Sequence, residues 1–307
     1  MSSTRAEPAR SGARLVAVAV VLSAAATSAV LLPGAEATST AAVFSAQAAA
    51  AATVTATPAC ASGTAAYATY LAAMVPAPML WWRFDTAAGA TTVADFAPGG
   101  TNKGTARKVA GASTLGLTFG TAGSGVINCD TTFGMLTAGA PSTGFVVLPT
   151  RRVSPTTLTL SLWVKLPAGA SGRLLGFGNS RNGTSGKQDR ALAIDATGHV
   201  TFTLNKAAGL PLVLTSTTPV TDGKAHLLVA TLAPGASGQA ALYVDGALVA
   251  SSPITPGVLA ATYNGYWRAG YDTPKQCPGD LDEVAIWEGA ALSPAQVTTL
   301  AGSDHWW

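Results

Sequence analysis

The glutamates are the side chains best suited to acid and base chemistry, and the chain holds only four of them. Glu7 and Glu36 lie in or beside an N-terminal hydrophobic segment, which leaves Glu283 and Glu288. Five positions along a strand place those two side chains on opposite faces and about 17 Å apart. A retaining glycosidase needs two carboxyl groups only about 5 Å apart. The spacing excludes retaining chemistry between them, and we expect no enzyme, although a pair of one aspartate and one glutamate stays open.

Other catalytic and metal-binding patterns are missing from the sequence. There is no Gly-x-Ser-x-Gly motif, and the three histidines, His199, His226 and His305, fall in strand or tail segments. The sequence contains no Cys-x-x-Cys motif and no His-rich spacing, so a zinc site has no support either. These observations favour a binding or structural role.

Exposed aromatic and charged residues concentrate in two polar segments, residues 179–190 and 263–276. Tyrosine rings stack on sugar faces, and arginine and aspartate side chains hydrogen-bond sugar hydroxyls. The alternative is that the tyrosines pack in the core or at a sheet edge and that the charges pair with one another in solvent. The sequence therefore predicts a ligand-binding surface, and its candidate residues are Arg181, Asp189, Arg190, Tyr263, Tyr266 and Tyr271.

The composition limits the partners that these residues could serve. Only 11% of the 307 residues are charged and the formal net charge is +3, so the chain lacks the basic field that attracts nucleic acid. A hydrophobic content of 48% supports a sizeable core. The 33 glycines and 18 prolines favour a turn-rich β protein over a helical one.

The N-terminus has the pattern of a signal peptide. Three arginines precede an uncharged run over residues 15–32, Pro33-Gly34 ends that run, and the Ala-Glu-Ala of residues 35–37 suits signal peptidase. We expect export to the medium or the cell surface, with membrane attachment only if the segment stays uncleaved. The predicted organisation is a signal peptide over 1–37, a linker rich in Ala and Thr over 38–62, and one domain over 63–307.

Three cysteines, Cys60, Cys129 and Cys277, accompany this export signal. In an oxidising compartment we expect one pair to form a disulfide, and three pairings are open. Residues 38–60, interpreted above as a linker, can alternatively be an N-terminal strand that orders on assembly.

The elements that must position the polar segments are short strands. The pattern predicts a helix between Thr64 and Val75, followed by ten or more strands separated by turn signals, which indicates a two-sheet antiparallel β-sandwich of jelly-roll type with short flanking helices. Asp245-Gly246 between two alternating runs predicts a hairpin with a type I′ turn. The predicted strands include 79–85, 144–148, 158–165, 173–178, 191–195, 199–204, 226–232, 242–250 and 279–287.

The last of these strands is the one on which the other elements should pack. Its alternation predicts Asp282, Val284 and Ile286 on one face and Leu281 on the other, with apolar residues on both faces. Ser293 followed by Pro294 then predicts the start of a short helix.

Six motifs, in this order, resemble laminin-G-like domains of the concanavalin A-like lectin/glucanase superfamily, over roughly residues 65 to 301. They are Trp82-Arg83-Phe84-Asp85, Leu160 to Val164, Asp222 to His226, Leu242 to Gly246, Tyr266 to Gly270 and Gly279 to Val284. Residues 176–181, followed by Asp189-Arg190, resemble the version of this domain in exported actinobacterial surface proteins. One departure from the family pattern is Ala225, which stands where a tryptophan usually precedes the histidine.

The resemblance implies a calcium site as well as a fold. In the family, an aspartate of the loop after the first strand and an acidic residue of the closing strand meet at one sheet edge. Carried over position by position, these are Asp95 and Asp282, with Asn102 a weaker addition; Asp95 can instead cap a turn, and Asp282 can bond backbone amides. Calcium would need six to eight oxygen ligands there.

Together these patterns predict an exported, non-catalytic module that binds a surface carbohydrate or a surface protein, with calcium as its only candidate cofactor. Two alternatives remain at this point: a structural subunit of a surface layer or fibre, and a glycan-active hydrolase.

Overall fold

A computed structural model describes residues 66–120 and 134–303 of the chain. These residues form two antiparallel β-sheets with two short helices, as the sequence predicts. The helices are α1 (Ala66–Ala73) and α2 (Pro294–Gly302). The strands are β1 (Leu80–Trp82), β2 (Thr92–Val93), β3 (Gly104–Lys108), β4 (Leu117–Thr118), β5 (Met135–Thr137), β6 (Gly144–Val147), β7 (Arg152–Val153), β8 (Leu158–Lys165), β9 (Gly172–Gly178), β10 (Gln188–Ile194), β11 (His199–Leu204), β12 (Leu212–Pro219), β13 (Ala225–Ala233), β14 (Gln239–Val244), β15 (Ala247–Pro253), β16 (Asn264–Gly270) and β17 (Gly279–Glu288).

The strands divide between two sheets, called sheet A and sheet B here. Sheet A has the order β15-β14-β13-β8-β17-β5-β4, with β1 also paired to β17. Sheet B has the order β12-β11-β10-β9-β16-β6-β3-β2, with β7 also paired to β16. Many neighbours within a sheet are distant in sequence, which is the connectivity expected of a jelly roll.

The main core lies between the two sheets and follows the period of two that the sequence shows. Leu158, Leu160, Leu162 and Val164 of β8 all point into it and are fully buried, as predicted. Trp267 of β16 packs edge-on against Phe177 of sheet B, with ring centroids 5.0 Å apart. Aromatic rings in this arrangement add to the free energy gained from burial alone.

The closing strand β17 departs from simple alternation. Glu283 has a φ of +51°, and the pairing of β17 with β8 shifts register between Asp282 and Ala285. This β-bulge inserts one residue, so that Leu281 points into the main core on the same side as Val284 and Ile286. The predicted assignment of Leu281 to the opposite face was therefore wrong. A local φ change that moves the register leaves no mark in the hydrophobic pattern.

The outer face of sheet A is covered by the two helices. Tyr67 of α1 meets Trp163 edge-on, with ring centroids 5.9 Å apart, and Val297 and Leu300 of α2 are buried in the same apolar cluster. The Trp287 indole donates to the Pro76 carbonyl oxygen at 2.9 Å. This face of the sandwich is thus closed by the chain itself.

Two local predictions from turn chemistry are confirmed. Asp245 and Gly246 have φ values of +51° and +80°, the positive pair that a type I′ hairpin turn requires. Ser293 caps α2, with Pro294 at the first helical position. Neither helix within residues 66–120 and 134–303 has the length and hydropathy that a membrane span needs.

Candidate functional site

Within the described residues, both helices lie on sheet A, and the outer face of sheet B carries arginine side chains instead. Arg107 on β3 lies opposite Phe145 on β6, and Arg268 on β16 places its guanidinium carbon 3.6 Å from the centre of the Phe145 ring. A cation over an aromatic ring is attracted by the negative face of the ring. Arg268 is only 2% exposed, because a polar loop folds over it.

That loop, residues 179–187, is held down by Arg268. The Nη1 atom of Arg268 donates to the carbonyl oxygen of Gly183 at 2.7 Å and to the Ser185 hydroxyl at 3.1 Å. The two ends of the loop are also hydrogen-bonded to each other, since the backbone nitrogen of Asn179 donates to the backbone carbonyl oxygen of Lys187 at 3.1 Å. One buried guanidinium therefore fixes the height of the loop above the sheet.

Asp272 joins the 179–187 loop to the chain that follows β16. Its Oδ1 atom accepts from the backbone nitrogen of Ser185 at 3.1 Å, and its Oδ2 atom lies 3.3 Å from Nη1 of Arg268. Beside it, the hydroxyls of Thr184 and Tyr271 are 3.5 Å apart. The two polar segments noted in the sequence therefore converge on one surface, which we call the loop face.

Arg173 occupies the other side of the loop face. Its Nη2 atom donates to the Oε1 atom of Gln188 and to the Thr273 carbonyl at 3.3 Å, and Gln188 in turn donates to the Thr273 hydroxyl. A narrow crevice with no room for a water molecule lies between these groups and is lined by Arg173, Gly176, Phe177, Gln188, Arg268 and Asp272. Burial lowers the pKa of both Arg173 and Arg268, and the charge of Asp272 acts in the opposite direction.

Residues 139–298, more than half of the chain, match the model of the concanavalin A-like lectin/glucanases superfamily. The chain belongs to this superfamily. No curated protein matches the chain. Membership of the superfamily accounts for the two-sheet sandwich and for the order of the six motifs in this chain, five of which fall wholly within residues 139–298.

Solved structures of the same fold are similar to this member of the superfamily at low sequence identity. The binding domain of Paraclostridial Mosquitocidal Protein 1 aligns with a TM-score of 0.51 and 13% identity, over 74% of this chain and 52% of that one. The chain thus spans about half the length of that domain. Domain 4 of AbnA, a GH43 extracellular arabinanase from Geobacillus stearothermophilus solved with arabinotriose, aligns with a TM-score of 0.47 and 18% identity, over 73% of this chain and 98% of that one.

Three of the six predicted ligand residues lie on or beside the loop face. Arg181 is exposed in the 179–187 loop, Tyr266 is half-buried on β16 opposite Gly178, and Tyr271 is half-buried next to Thr184. Tyr263 differs, because its ring packs against Phe177 at 5.4 Å and its hydroxyl donates to the Phe177 carbonyl at 3.2 Å. Tyr263 therefore supports the surface from below.

Asp189 and Arg190 do not lie in a loop, although the sequence suggested one. Strand β10 begins at Gln188, and both residues are buried in it, paired with each other through Oδ2 and Nη1. Arg190 also donates to the Pro155 carbonyl at 2.6 Å and has a φ of +48°. Desolvation raises the pKa of Asp189 against the opposing effect of Arg190. The pair shapes a bulge in β10 and does not face solvent.

The calcium candidates all lie around β1. The Asp95 carboxylate accepts from the backbone nitrogens of Trp81 at 2.9 Å, Ala97 at 3.1 Å and Asn102 at 2.8 Å. The Asn102 side chain donates to the Met79 carbonyl at 2.7 Å. Asp282 is buried in β17 and accepts from the Glu283 backbone nitrogen at 2.8 Å.

These contacts match the turn-capping alternative for Asp95 that the sequence left open. Within the described part of the chain, no three His, Cys, Asp or Glu side chains are grouped so as to hold a metal. Calcium at Asp95, Asn102 and Asp282 stays a prediction that rests on the family resemblance.

The two glutamates of β17 each contact basic and indole groups. Glu283 accepts from the Trp81 indole and, at 3.1 Å, from Arg83. Glu288 accepts from the indole of Trp267 at 2.7 Å and pairs with Arg152. Trp81 packs in the outer cluster of sheet A and Trp267 in the core between the sheets, so the two carboxylates serve opposite faces, as the spacing predicted.

Of the three cysteines, only Cys277 lies within the described residues. It is a buried free thiol, and burial raises its pKa to about 12. Cys60 and Cys129 lie outside the described residues, as do the predicted signal peptide and linker. The disulfide stays a prediction.

Sequence reasoning missed four residues of the loop face: Arg173, Gln188, Arg268 and Asp272. A usable signal existed for Arg268, because it lies two positions after Tyr266 on the same strand and thus on the same face. No such signal marks Arg173 or Asp272, since their roles depend on a loop that folds back across the sheet.

Proposed function

We propose that this chain is an exported, non-catalytic module that binds carbohydrate through the loop face. The observation that carries the proposal is the convergence of the 179–187 loop and the segment after β16 on the outer face of sheet B. Among the described residues, α1 and α2 cover the outer face of sheet A and neither covers the outer face of sheet B.

The chemistry of the loop face suits a sugar. Tyr266 and Tyr271 offer aromatic surface for stacking on a pyranose or furanose ring. Arg181 and the hydroxyl of Thr184 are exposed beside them and can bond sugar hydroxyls. A few polar groups around aromatic side chains are the usual composition of a small-ligand site.

Similarity to other proteins agrees with a binding role. The superfamily takes its name from lectins as well as glucanases, and the mosquitocidal-protein domain of similar fold is itself a binding domain. A non-catalytic role is supported by the two glutamates of β17, because each carboxylate is engaged by an indole and an arginine on opposite faces of sheet A.

The export part of the proposal rests on the sequence pattern of residues 1–37. N-terminal sequencing of the secreted chain tests it, with Thr38 as the expected first residue and an intact Met1 as the contrary result. A surface protein is the alternative partner, and the binding assay below separates the two.

The test of function is binding of the full chain to a panel of polysaccharides and to isolated cell walls. We expect at least one polysaccharide to bind, and Tyr271→Ala to weaken that binding about five- to tenfold, the size of one aromatic contact. Tyr271→Phe keeps the ring and should bind nearly as the natural chain does.

Phe96→Ala is the matched control, because Phe96 is an exposed aromatic whose ring lies 6.1 Å from that of Trp81, a residue of the outer cluster of sheet A. It should leave binding unchanged. Binding to cell walls that survives removal of their polysaccharides would transfer the function to a protein partner, and no binding to any polysaccharide would contradict the proposal.

Thermal unfolding of the full chain with chelator and with calcium tests the calcium prediction. If Asp95, Asn102 and Asp282 hold calcium, chelation should lower the melting temperature of the full chain and added calcium should restore it. An identical melting temperature with chelator and with calcium would remove calcium from the proposal.

A further inference from the structure

The loop face carries more buried positive charge than its surroundings balance. Arg268 and Arg173 lie on neighbouring strands, and Arg107 lies on the same face beside Phe145. Among the described residues, Asp272 is the only carboxylate that forms an ion pair with any of these three arginines. Lys187, next to Gln188 in the chain, and Lys275, whose carbonyl accepts from the Arg173 backbone nitrogen, are exposed and add positive charge.

Several of the arginine donors also have no acceptor. Within the described part of the chain, Nε and Nη2 of Arg268, Nε of Arg173 and Nε of Arg107 are buried without a hydrogen-bond partner. Burying an unsatisfied donor or an unpaired charge is costly, so native proteins keep such groups only where something satisfies them. An anion at the crevice, which Arg173 and Arg268 line and Arg107 does not, would balance part of this positive charge.

The position where such an anion would enter is now filled by a neutral amide. Gln188 presents its Oε1 atom to Arg173 and its Nε2 atom to the hydroxyl of the exposed Thr273. A carboxylate or sulfate in the place of Oε1 would bring an opposite charge to the Arg173 guanidinium, an attraction that the neutral amide does not supply. The flat guanidinium fork also matches two oxygens of such a group.

We propose that the ligand of the loop face is an acidic glycan, whose carboxylate or sulfate group is bound by Arg173 at the mouth of the crevice with displacement of the Gln188 side chain. This inference rests on the proposed carbohydrate binding and names its ligand class. Arg268 contributes positive charge from below while its Nη1 atom holds the 179–187 loop.

The test compares matched charged and neutral polymers with the full chain. We expect at least one member of the acidic set, polygalacturonate, alginate or dextran sulfate, to bind. Polygalacturonate is paired with its fully methyl-esterified form, and dextran sulfate is paired with dextran. Whichever of polygalacturonate and dextran sulfate binds should do so at least tenfold more tightly than its neutral counterpart, whereas alginate serves only as a second polyuronate. Binding confined to dextran sulfate would identify sulfate as the group, and binding confined to the polyuronates would identify carboxylate.

Two variants, Arg173→Gln and Gln188→Glu, test whether Arg173 binds the acidic group of the polymer. Arg173→Gln should lose the preference for the acidic polymer, whereas Arg151→Gln, an equal loss of charge at an exposed position near the opposite end of β16, should keep it. Gln188→Glu leaves every arginine in place but fills the crevice with a permanent carboxylate, so it should also lose the preference even if Arg173→Gln fails to fold.

The outcomes separate the two proposals. Equal binding of acidic and neutral polymers, or an undiminished acidic preference in Gln188→Glu, overturns the inference and leaves carbohydrate binding intact. Equal losses in Arg173→Gln and Arg151→Gln would show a diffuse charge effect and overturn it as well. No binding to any polysaccharide overturns both proposals.

Discussion

At the scale of single residues, the charge state of His226 is set by two carboxylates that flank its ring. Its Nδ1 atom lies 2.7 Å from Oδ2 of Asp245, and its Nε2 atom lies 3.1 Å from Oδ1 of Asp222. The other carboxylate oxygen of Asp222 lies 3.9 Å from Nζ of Lys224. Desolvation lowers the pKa of His226, but the bonds and charges of Asp245 and Asp222 outweigh it and raise the pKa above its ordinary value. The imidazolium form is therefore the stabilised one.

This shift gives a signed prediction for pH. The stabilisation is fully present below the unfolded-state pKa of about 6.5 and is lost as pH rises through the higher folded-state pKa. His226→Gln should cost on the order of 1 kcal/mol in the free energy of unfolding at pH 5.5 and clearly less at pH 9. Urea denaturation at the two pH values measures it, and an equal cost at both would show that the charge of the imidazole contributes nothing.

Candidate binding residues could be predicted from the sequence where their own type and the polarity of their segment indicate exposure. Tyr266, Tyr271 and Arg181 lie in polar segments and could be proposed from type and position. Arg173 gains its role only because residues far along the chain, Gln188 and Thr273, close around it. A cluster built from separate strands has no spacing in the sequence to detect.

At the scale of elements, α2 offers the clearest test of local sequence rules. The Ser293 hydroxyl accepts from the Gln296 backbone nitrogen at 3.3 Å, and the Gln296 side chain accepts from the Ser293 nitrogen at 2.9 Å, which completes a capping box. Ser293→Ala should lower the free energy of unfolding by about 1 kcal/mol. Thermal or urea unfolding measures it, with Ser251→Ala on the exposed edge strand β15 as a control that should change little. A loss no greater than that of the control would mean that packing alone holds the helix.

The strands show why some elements were predicted better than others. The β8 strand and the β14–β15 hairpin followed clear periodicity and turn chemistry, and their predicted positions were correct. The start of β10 was missed because Asp189 and Arg190 are charged, and a buried ion pair looks like a solvated loop in the sequence. The bulge at Glu283 was missed because a single positive φ at a non-glycine residue leaves no mark in composition.

At the scale of the whole molecule, the two outer faces of the sandwich differ in kind. Sheet A uses its outer face for α1 and α2, where Tyr67 of α1 packs against Trp163 and Trp287 is buried in the same apolar cluster. Sheet B keeps arginines, tyrosines and a polar loop on its outer face. The fold class followed from the order of strand and turn signals, whereas the choice of face depended on tertiary packing that the sequence does not encode locally.

The most direct test of this account is backbone hydrogen exchange of the full chain with and without a bound polysaccharide. We expect slower exchange on binding in residues 179–187 and 266–273, with α1 and α2 unchanged, because the ligand would cover the loop face alone. Slower exchange confined to α1, α2 or the outer face of sheet A would contradict the assignment of the site to sheet B.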